Sequence, residues 1–199
     1  TLKDLGAELI EVDAAPYSSP KNYVKQSKKI AEELSDSNVN GVLWANQFDN
    51  TINAEAHIRT TAREIWTQTA GQIHGFVCAV GTGGTLAGVS IGLKEKNKNI
   101  KIALSDPMGS SLYSHIKFNK LENEGSSITE GIGTARITKN FEKALVDDAY
   151  QVSDEEALNI IFKLKEDQNI ELGGSSGINI AGAIKLAKDM GPGHNIVTI

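Results

Sequence analysis

The residues Gly81-Thr82-Gly83-Gly84-Thr85-Leu86-Ala87-Gly88 hold four glycines and two threonines. They follow a continuous apolar run, Phe76–Val80 (FVCAV), and lead into a helical pattern marked by Leu86, Val89 and Leu93. A glycine-rich turn at that place lets the backbone bend sharply and approach a ligand closely. The N–H groups at a helix start lack partners and carry the positive end of the dipole, so the ligand they favour is a phosphate. The hydroxyls of Thr82 and Thr85 add donors. The bland alternative is a plain strand-to-helix turn, but so dense a cluster of Gly and Thr favours the anion site. A nucleoside-triphosphate loop needs Gly-Lys-Ser/Thr, and Leu86 and Ala87 stand there instead. A dinucleotide site is the minority alternative. Asp106 follows the next strand at the distance of a ribose-binding acid, but Pro107 comes next and the glycine spacing departs from G-x-G-x-x-G.

A second turn, Gly173-Gly174-Ser175-Ser176-Gly177, also precedes a helix. It formally matches the nucleophile elbow of hydrolases, which needs an acid and then a histidine downstream. Only Asp189 and His194 qualify, and Asp189 lies on the helix that the turn opens, so the hydrolase reading is poor. Ser175 can act as a simple helix cap, or its hydroxyl can bond a heteroaromatic nitrogen of a cofactor. Cys78 sits in an apolar strand and reads as a buried, inert thiol. His57, His74, His115 and His194 share no metal-ligand spacing. Lys25, Lys28, Lys29, Lys163 and Lys165 fall on helical surfaces and read as solvated charge.

The elements that must position these groups alternate in period. Strands are expected at Glu8–Val12, Gly41–Ala45, Phe76–Val80, Ile100–Leu104 and Asn195–Ile199. Helical faces run through Tyr23, Ser27, Ile30, Ala31 and Leu34, and through Ile58, Ala62, Ile65 and Trp66. A capping box, Ser153 with Glu156, opens a helix carrying Ala157, Leu158, Ile161, Phe162 and Leu164. Ile180, Ala183, Ile184 and Ala187 mark the last helix. This alternation predicts an α/β fold with mostly parallel sheets flanked by helices. From Asn119 to Asn140 the rhythm is lost in a polar stretch, and a segment that long is usually functional or mobile.

The chain has 199 residues, 40% apolar and 23% charged, which are globular proportions. Twenty basic against 25 acidic residues give a net charge of −5. That balance disfavours nucleic-acid and anionic-membrane binding. No apolar run reaches membrane-spanning length, and mean hydropathy is −0.24. A single cysteine excludes an intrachain disulfide. With no evident secretory signal, the expected setting is intracellular, cytoplasmic or mitochondrial.

Taken together, GTGGTLAG after a strand, DPMGSSLY, SITEGIGTARIT and GGSSG at a helix start resemble the cysteine synthase family. These are the fold type II pyridoxal-phosphate enzymes (tryptophan synthase β-like), a group that also includes cystathionine β-synthase. Gln47-Phe48, His57 and Thr60-Thr61…Glu64-Ile65-Trp66 resemble the family's stretch joining its two domains. The resemblance runs in order from Thr1 to Ile199. It implies that Gly81, Thr82, Gly83, Gly84 and Thr85 hold the phosphate of pyridoxal 5'-phosphate. It implies that Ser175 faces the pyridine nitrogen. A neutral hydroxyl there does not force that nitrogen to stay protonated, which gives a mild electron sink suited to β-elimination. Gln47 is expected near the substrate carboxylate, and Gly131 and Gly133, in Glu130-Gly131-Ile132-Gly133, beside the substrate.

The implied reaction is β-replacement, making L-cysteine from O-acetylserine and sulfide. The alternatives are a cystathionine β-synthase type of enzyme, a nicotinamide-dependent dehydrogenase domain, or a non-catalytic domain of the same fold. The family forms homodimers. Two departures, Asn50-Thr51-Ile52-Asn53 for Asn-Pro-x-Asn and Ala62-Arg63 for Gly-Pro, lie outside the cofactor motifs and bear on subgroup and substrate. Residues 1–52 are expected to be the C-terminal part of the smaller domain and 53–199 the larger, cofactor-phosphate-binding domain. No catalytic residue is nominated. The Schiff-base lysine is expected before Thr1, so the 199 residues alone are expected to be inactive.

Overall fold

The computed structural model describes residues 2–199. The chain divides into two compact units, Thr1–Asn46 and Gln47–Ile199. Among its described residues the first contains one α-helix, α1 (Tyr23–Ser35). Its start is fixed by Asn22, whose side-chain oxygen accepts from the Val24 amide (3.1 Å) while its Nδ2 donates to the Ala15 carbonyl (2.8 Å). The strands expected at Glu8–Val12 and Gly41–Ala45 do not form: both segments run without a ladder among the described residues. A strand is defined by its hydrogen-bonded neighbour, and neither segment has one here. Leu9, Ile10, Val12 and Leu43 are exposed accordingly.

In the second unit α2 (Ile52–Arg59) and α3 (Thr61–Gln68) share the helical stripe seen in the sequence and break at Thr60. The Thr60 hydroxyl bonds back to the Ala56 carbonyl at 2.8 Å, drawing its side chain against the preceding turn. Then follow β1 (Gly75–Cys78), α4 (Gly84–Lys96), β2 (Lys101–Pro107), α5 (Leu112–Phe118), β3 (Asp148–Val152), α6 (Asp154–Gln168), α7 (Gly174–Met190) and β4 (Ile196–Thr198). The four strands form one parallel sheet in the order β3-β2-β1-β4. β3 and α5 are absent from the sequence expectations. β3 is a short edge strand, DAYQV, with too few apolar residues to stand out.

Side chains alternate across the sheet. Phe76, Cys78, Ile102 and Leu104 join Leu86, Val89 and Leu93 of α4 on one face. Val77 and Ala103 pack with Leu186 of α7 on the other. Glycines set the helix distances. At Gly92 a Cβ would lie 2.6 Å from Ala62 Cβ, and at Gly182 it would overlap the Ser105 hydroxyl. These close approaches explain why the buried face of α7 is Ile178, Ala181, Gly182 and Leu186, while Ile184 and Ala187, counted on its apolar stripe, face outward. Phe162 on α6 is likewise exposed. Ser153 does cap α6, accepting from the Glu156 amide at 3.2 Å.

Candidate active site

The glycine loop leaves the C-terminal end of β1, an inner strand of the sheet, where open parallel sheets bind ligands. Ala87 is the first amide of α4 to bond back, to the Gly83 carbonyl at 2.9 Å. The Thr85 and Leu86 amides therefore have no helical carbonyl to reach, and such a helix start has the chemistry that suits an anion. The loop is closed underneath by backbone. A Cβ on Gly81 would overlap the Gly131 carbonyl oxygen, and one on Gly83 would lie 2.8 Å from the Phe141 amide nitrogen. Gly83 also holds φ +88°, the left-handed region that glycine adopts without penalty.

Side chains brace this loop from α2 and from Thr138–Phe141. The Thr82 hydroxyl accepts from Asn53 Nδ2 (3.0 Å) and from the Gly84 amide (3.3 Å). Thr85 Oγ1 lies 3.1 Å from His57 Nε2, and Thr61 Oγ1 2.9 Å from His57 Nδ1. Burial holds the His57 pKa below its ordinary value, so a neutral ring bridges the two hydroxyls, one nitrogen donating and one accepting. The Thr138 hydroxyl donates to the Thr82 carbonyl at 2.6 Å.

The remaining predicted residues gather around the same strand end. The Gly133 amide bonds the Val80 carbonyl (2.8 Å), seating the Gly131–Gly133 turn on the loop; both glycines hold positive φ, +81° and +82°. Ser175, in the first turn of α7, lines a cavity of about 390 Å³ with Thr129, Glu130, Asp154 and Leu158. Asp154 shapes that wall, accepting from the Ser127 hydroxyl (2.5 Å) and the Ile128 amide (2.9 Å). α7 is pinned to β1 by buried Asn179, whose Oδ1 accepts from the Ala79 amide at 2.6 Å. Gln47 is exposed, with its carbonyl tied to Asn53 Nδ2 at 3.2 Å. Next to it, Asp49 takes both Arg136 guanidinium nitrogens (3.2 and 3.3 Å) and the Lys139 amide (3.0 Å). Burial pushes the Asp49 carboxyl up, but the Lys139 amide and Arg136 outweigh it and hold the pKa below the ordinary value. Sequence reasoning flagged the polar segment that supplies Arg136, Thr138 and Asn140 but assigned these three no role.

Other nominated residues leave the site. Asp106 is fully buried and its Oδ2 accepts from the Tyr113 amide at 2.8 Å, so it starts α5 and presents nothing to a ribose. Its Oδ1 has no hydrogen-bond partner among the described residues. Asp189 takes the Tyr150 hydroxyl (2.6 Å), about 21 Å along α7 from Ser175 at 1.5 Å per residue, which dissolves the hydrolase triad. Burial drives the Cys78 thiol up to about 12, consistent with an inert core cysteine. No group of His, Cys, Asp and Glu among the described residues could hold a metal. Among the described residues, no helix is long and apolar enough to cross a membrane.

Asp106 carries a pH prediction. Burial raises its carboxyl from 3.8 to about 6, against the pull of the Tyr113 amide. A raised native pKa contributes stability fully below the unfolded value and loses it as pH rises through the folded one. Asp106→Asn keeps an acceptor for Tyr113 and removes the titration. The wild type is expected to lose about 2 kcal/mol relative to the variant between pH 4 and pH 7. Urea unfolding across that range checks it, and parallel profiles would refute it.

With this geometry in place, the class follows: the pyridoxal-phosphate dependent enzyme family matches residues 1–199, and the chain belongs to it. Cysteine synthase 1 of Emericella nidulans is 41% identical over the whole chain, which spans 54% of that protein. Cysteine synthase A of Escherichia coli is 37% identical, again over the whole chain and 60% of its own length. The solved O-acetylserine dependent cystathionine beta-synthase from Helicobacter pylori superposes with a TM-score of 0.74 at 32% identity. That match covers 86% of this chain and 54% of the solved one. The chain thus spans little more than half the length of the relatives it matches. The residues fit the cofactor. A backbone cradle with no room for a Cβ at Gly81 or Gly83, beside two threonine hydroxyls and a helix start, is suited to a phosphate monoester.

Proposed function

We propose that this chain is the phosphate-holding part of a cysteine synthase, which makes L-cysteine from O-acetylserine and sulfide by β-replacement. The observation that carries the reading is the glycine loop at the end of β1, closed by Gly131 and Phe141 and leading into α4 with no side-chain cap hydrogen bond at the helix start. In this reading Gly81–Thr85 grip the phosphate with backbone amides and hydroxyls. The Ser175 hydroxyl meets the pyridine nitrogen without protonating it. Gln47 orients the substrate carboxylate, and the Gly131–Gly133 turn excludes water beside it. When bound, pyridoxal phosphate supplies an electron sink for the substrate's α-carbon. Residues 1–52 belong to the smaller domain and 53–199 to the larger one, and the enzyme works as a homodimer.

The lysine that forms the cofactor imine is assigned to a segment outside the 199 residues, so the chain alone is inactive. Lys94, Lys117 and Lys185 are engaged with Asp147, Asp148 and Glu156 and are poor candidates for it. Borohydride reduction of the full-length protein with pyridoxal phosphate, followed by peptide mass mapping, tests both statements. One adduct is expected on a lysine outside this sequence. An adduct within it would overturn the lysine assignment, and no adduct at all would overturn the cofactor role.

A second reading is favoured by the Helicobacter pylori neighbour, whose description pairs O-acetylserine with cystathionine. The two readings share the amino-acid substrate and differ in the thiol. With O-acetylserine fixed, sulfide is expected to react at least tenfold faster than homocysteine. The opposite order would establish the second reading.

A further inference from the structure

Asn140 lies between the two segments that the proposed function uses. Its side chain is fully buried. Its Nδ2 donates to the carbonyls of Phe48 (2.8 Å), Gln47 (3.1 Å) and Asn50 (3.3 Å), and its Oδ1 accepts from the Ala54 amide (3.3 Å). One amide group therefore closes the whole turn from Gln47 to Ala54. The same short stretch of chain also holds the glycine loop. Thr138 Oγ1 donates to the Thr82 carbonyl at 2.6 Å and accepts from the Phe141 amide at 3.0 Å, and the Phe141 backbone fills the space under Gly83. Asn53 completes the ring, its Nδ2 reaching both the Gln47 carbonyl (3.2 Å) and the Thr82 hydroxyl (3.0 Å).

We propose that Asn140 is a positioning residue that fixes the Gln47 segment to the glycine loop, so that the groups facing the amino-acid substrate and those facing the cofactor phosphate hold one geometry. The inference rests on the roles proposed above for Gln47 and Gly81–Thr85. The chemistry selects asparagine. Aspartate has the same shape but no hydrogens for three carbonyls. Leucine bonds neither side, and glutamine is one methylene longer in a fully buried position.

The test is Asn140→Asp in the full-length protein. Ionised, the new carboxylate faces three carbonyl oxygens; protonated, it regains one donor. Its defect is therefore expected to shrink as pH falls. The pyridoxal phosphate dissociation constant, read by absorbance, is expected to be about tenfold weaker than wild type at pH 8 and about twofold weaker at pH 5.5. Asp49, Arg136 and Lys139 flank the segment and His57 lies across it on α2, so the wild type titrated in parallel subtracts their contribution. Hydrogen exchange is expected to quicken together in Gln47–Ala54 and Gly81–Leu86. A pH-independent ratio, or faster exchange confined to Gln47–Ala54, would overturn the proposal.

Wild type that binds no pyridoxal phosphate while the variant shows the joint exchange pattern would sink the cofactor reading and leave the linkage standing. Thr138→Val, which removes the arm to the glycine loop and the acceptor for the Phe141 amide but leaves every Asn140 side-chain bond, covers the case in which Asn140→Asp does not fold. It is expected to raise the cofactor dissociation constant and the amino-acid KM together, each about fivefold. An unchanged KM would overturn the linkage.

Discussion

Gly83→Ala in the full-length protein is expected to weaken pyridoxal phosphate binding by about a hundredfold, equivalent to roughly 3 kcal/mol. Two costs add. An alanine at φ +88° is forced into the left-handed region, at about 1 kcal/mol. Its Cβ would also sit 2.8 Å from the Phe141 amide nitrogen and Cβ, so either the loop or the Thr138–Phe141 stretch must shift. Either shift moves the amides proposed to receive the phosphate. Gly131→Ala separates the two costs. It has nearly the same φ, +81°, but open space where its Cβ would go. It is expected to lose only about fivefold, the conformational cost alone. Fluorescence titration with the cofactor reads both variants. Equal losses would show that the close approach to Phe141 does not shape the site.

Asn179→Leu is the second large effect. Leucine has the branched heavy-atom skeleton of asparagine but bonds to nothing, so the buried Ala79 amide and the Ile199 carbonyl, held at 2.6 and 3.0 Å, lose their partner. The unsatisfied buried amide, with the lost bond to exposed Ile199, costs about 3 kcal/mol. The melting temperature is expected to fall by roughly 6–12 °C. Ala79 stands two residues before Gly81, and Asn179 one helical turn after Ser175, so cofactor affinity is expected to fall as well. Thermal unfolding with and without pyridoxal phosphate checks this. A shift below about 2 °C would mean that α7 is held to β1 by apolar packing alone.

The sheet and its nearest helices were legible because burial on both faces writes continuous apolar runs, as in Phe76–Val80 and Ile100–Leu104. The glycine loop between β1 and α4 was legible because glycine and threonine are chosen there for backbone reasons, which local sequence carries. Three things were not. Glu8–Val12 and Gly41–Ala45 have strand patterns, but a strand also needs a neighbour, and pattern does not report one. The working face of α7 is set by Gly177 and Gly182, which carry no hydrophobic signal yet allow contact with Ala157 and Ser105. The bracing network joins residues far apart in sequence. Asn140 and Gln47 are separated by 93 positions, and Arg136 and Asp49 by 87. Their polarity reads as loop until the fold brings them together.

A crystal structure of the full-length protein with pyridoxal phosphate tests the central claim most directly. The account predicts phosphate oxygens within about 3.2 Å of backbone amides and hydroxyls between Gly81 and Leu86. A phosphate bound elsewhere, with that loop empty, would contradict it.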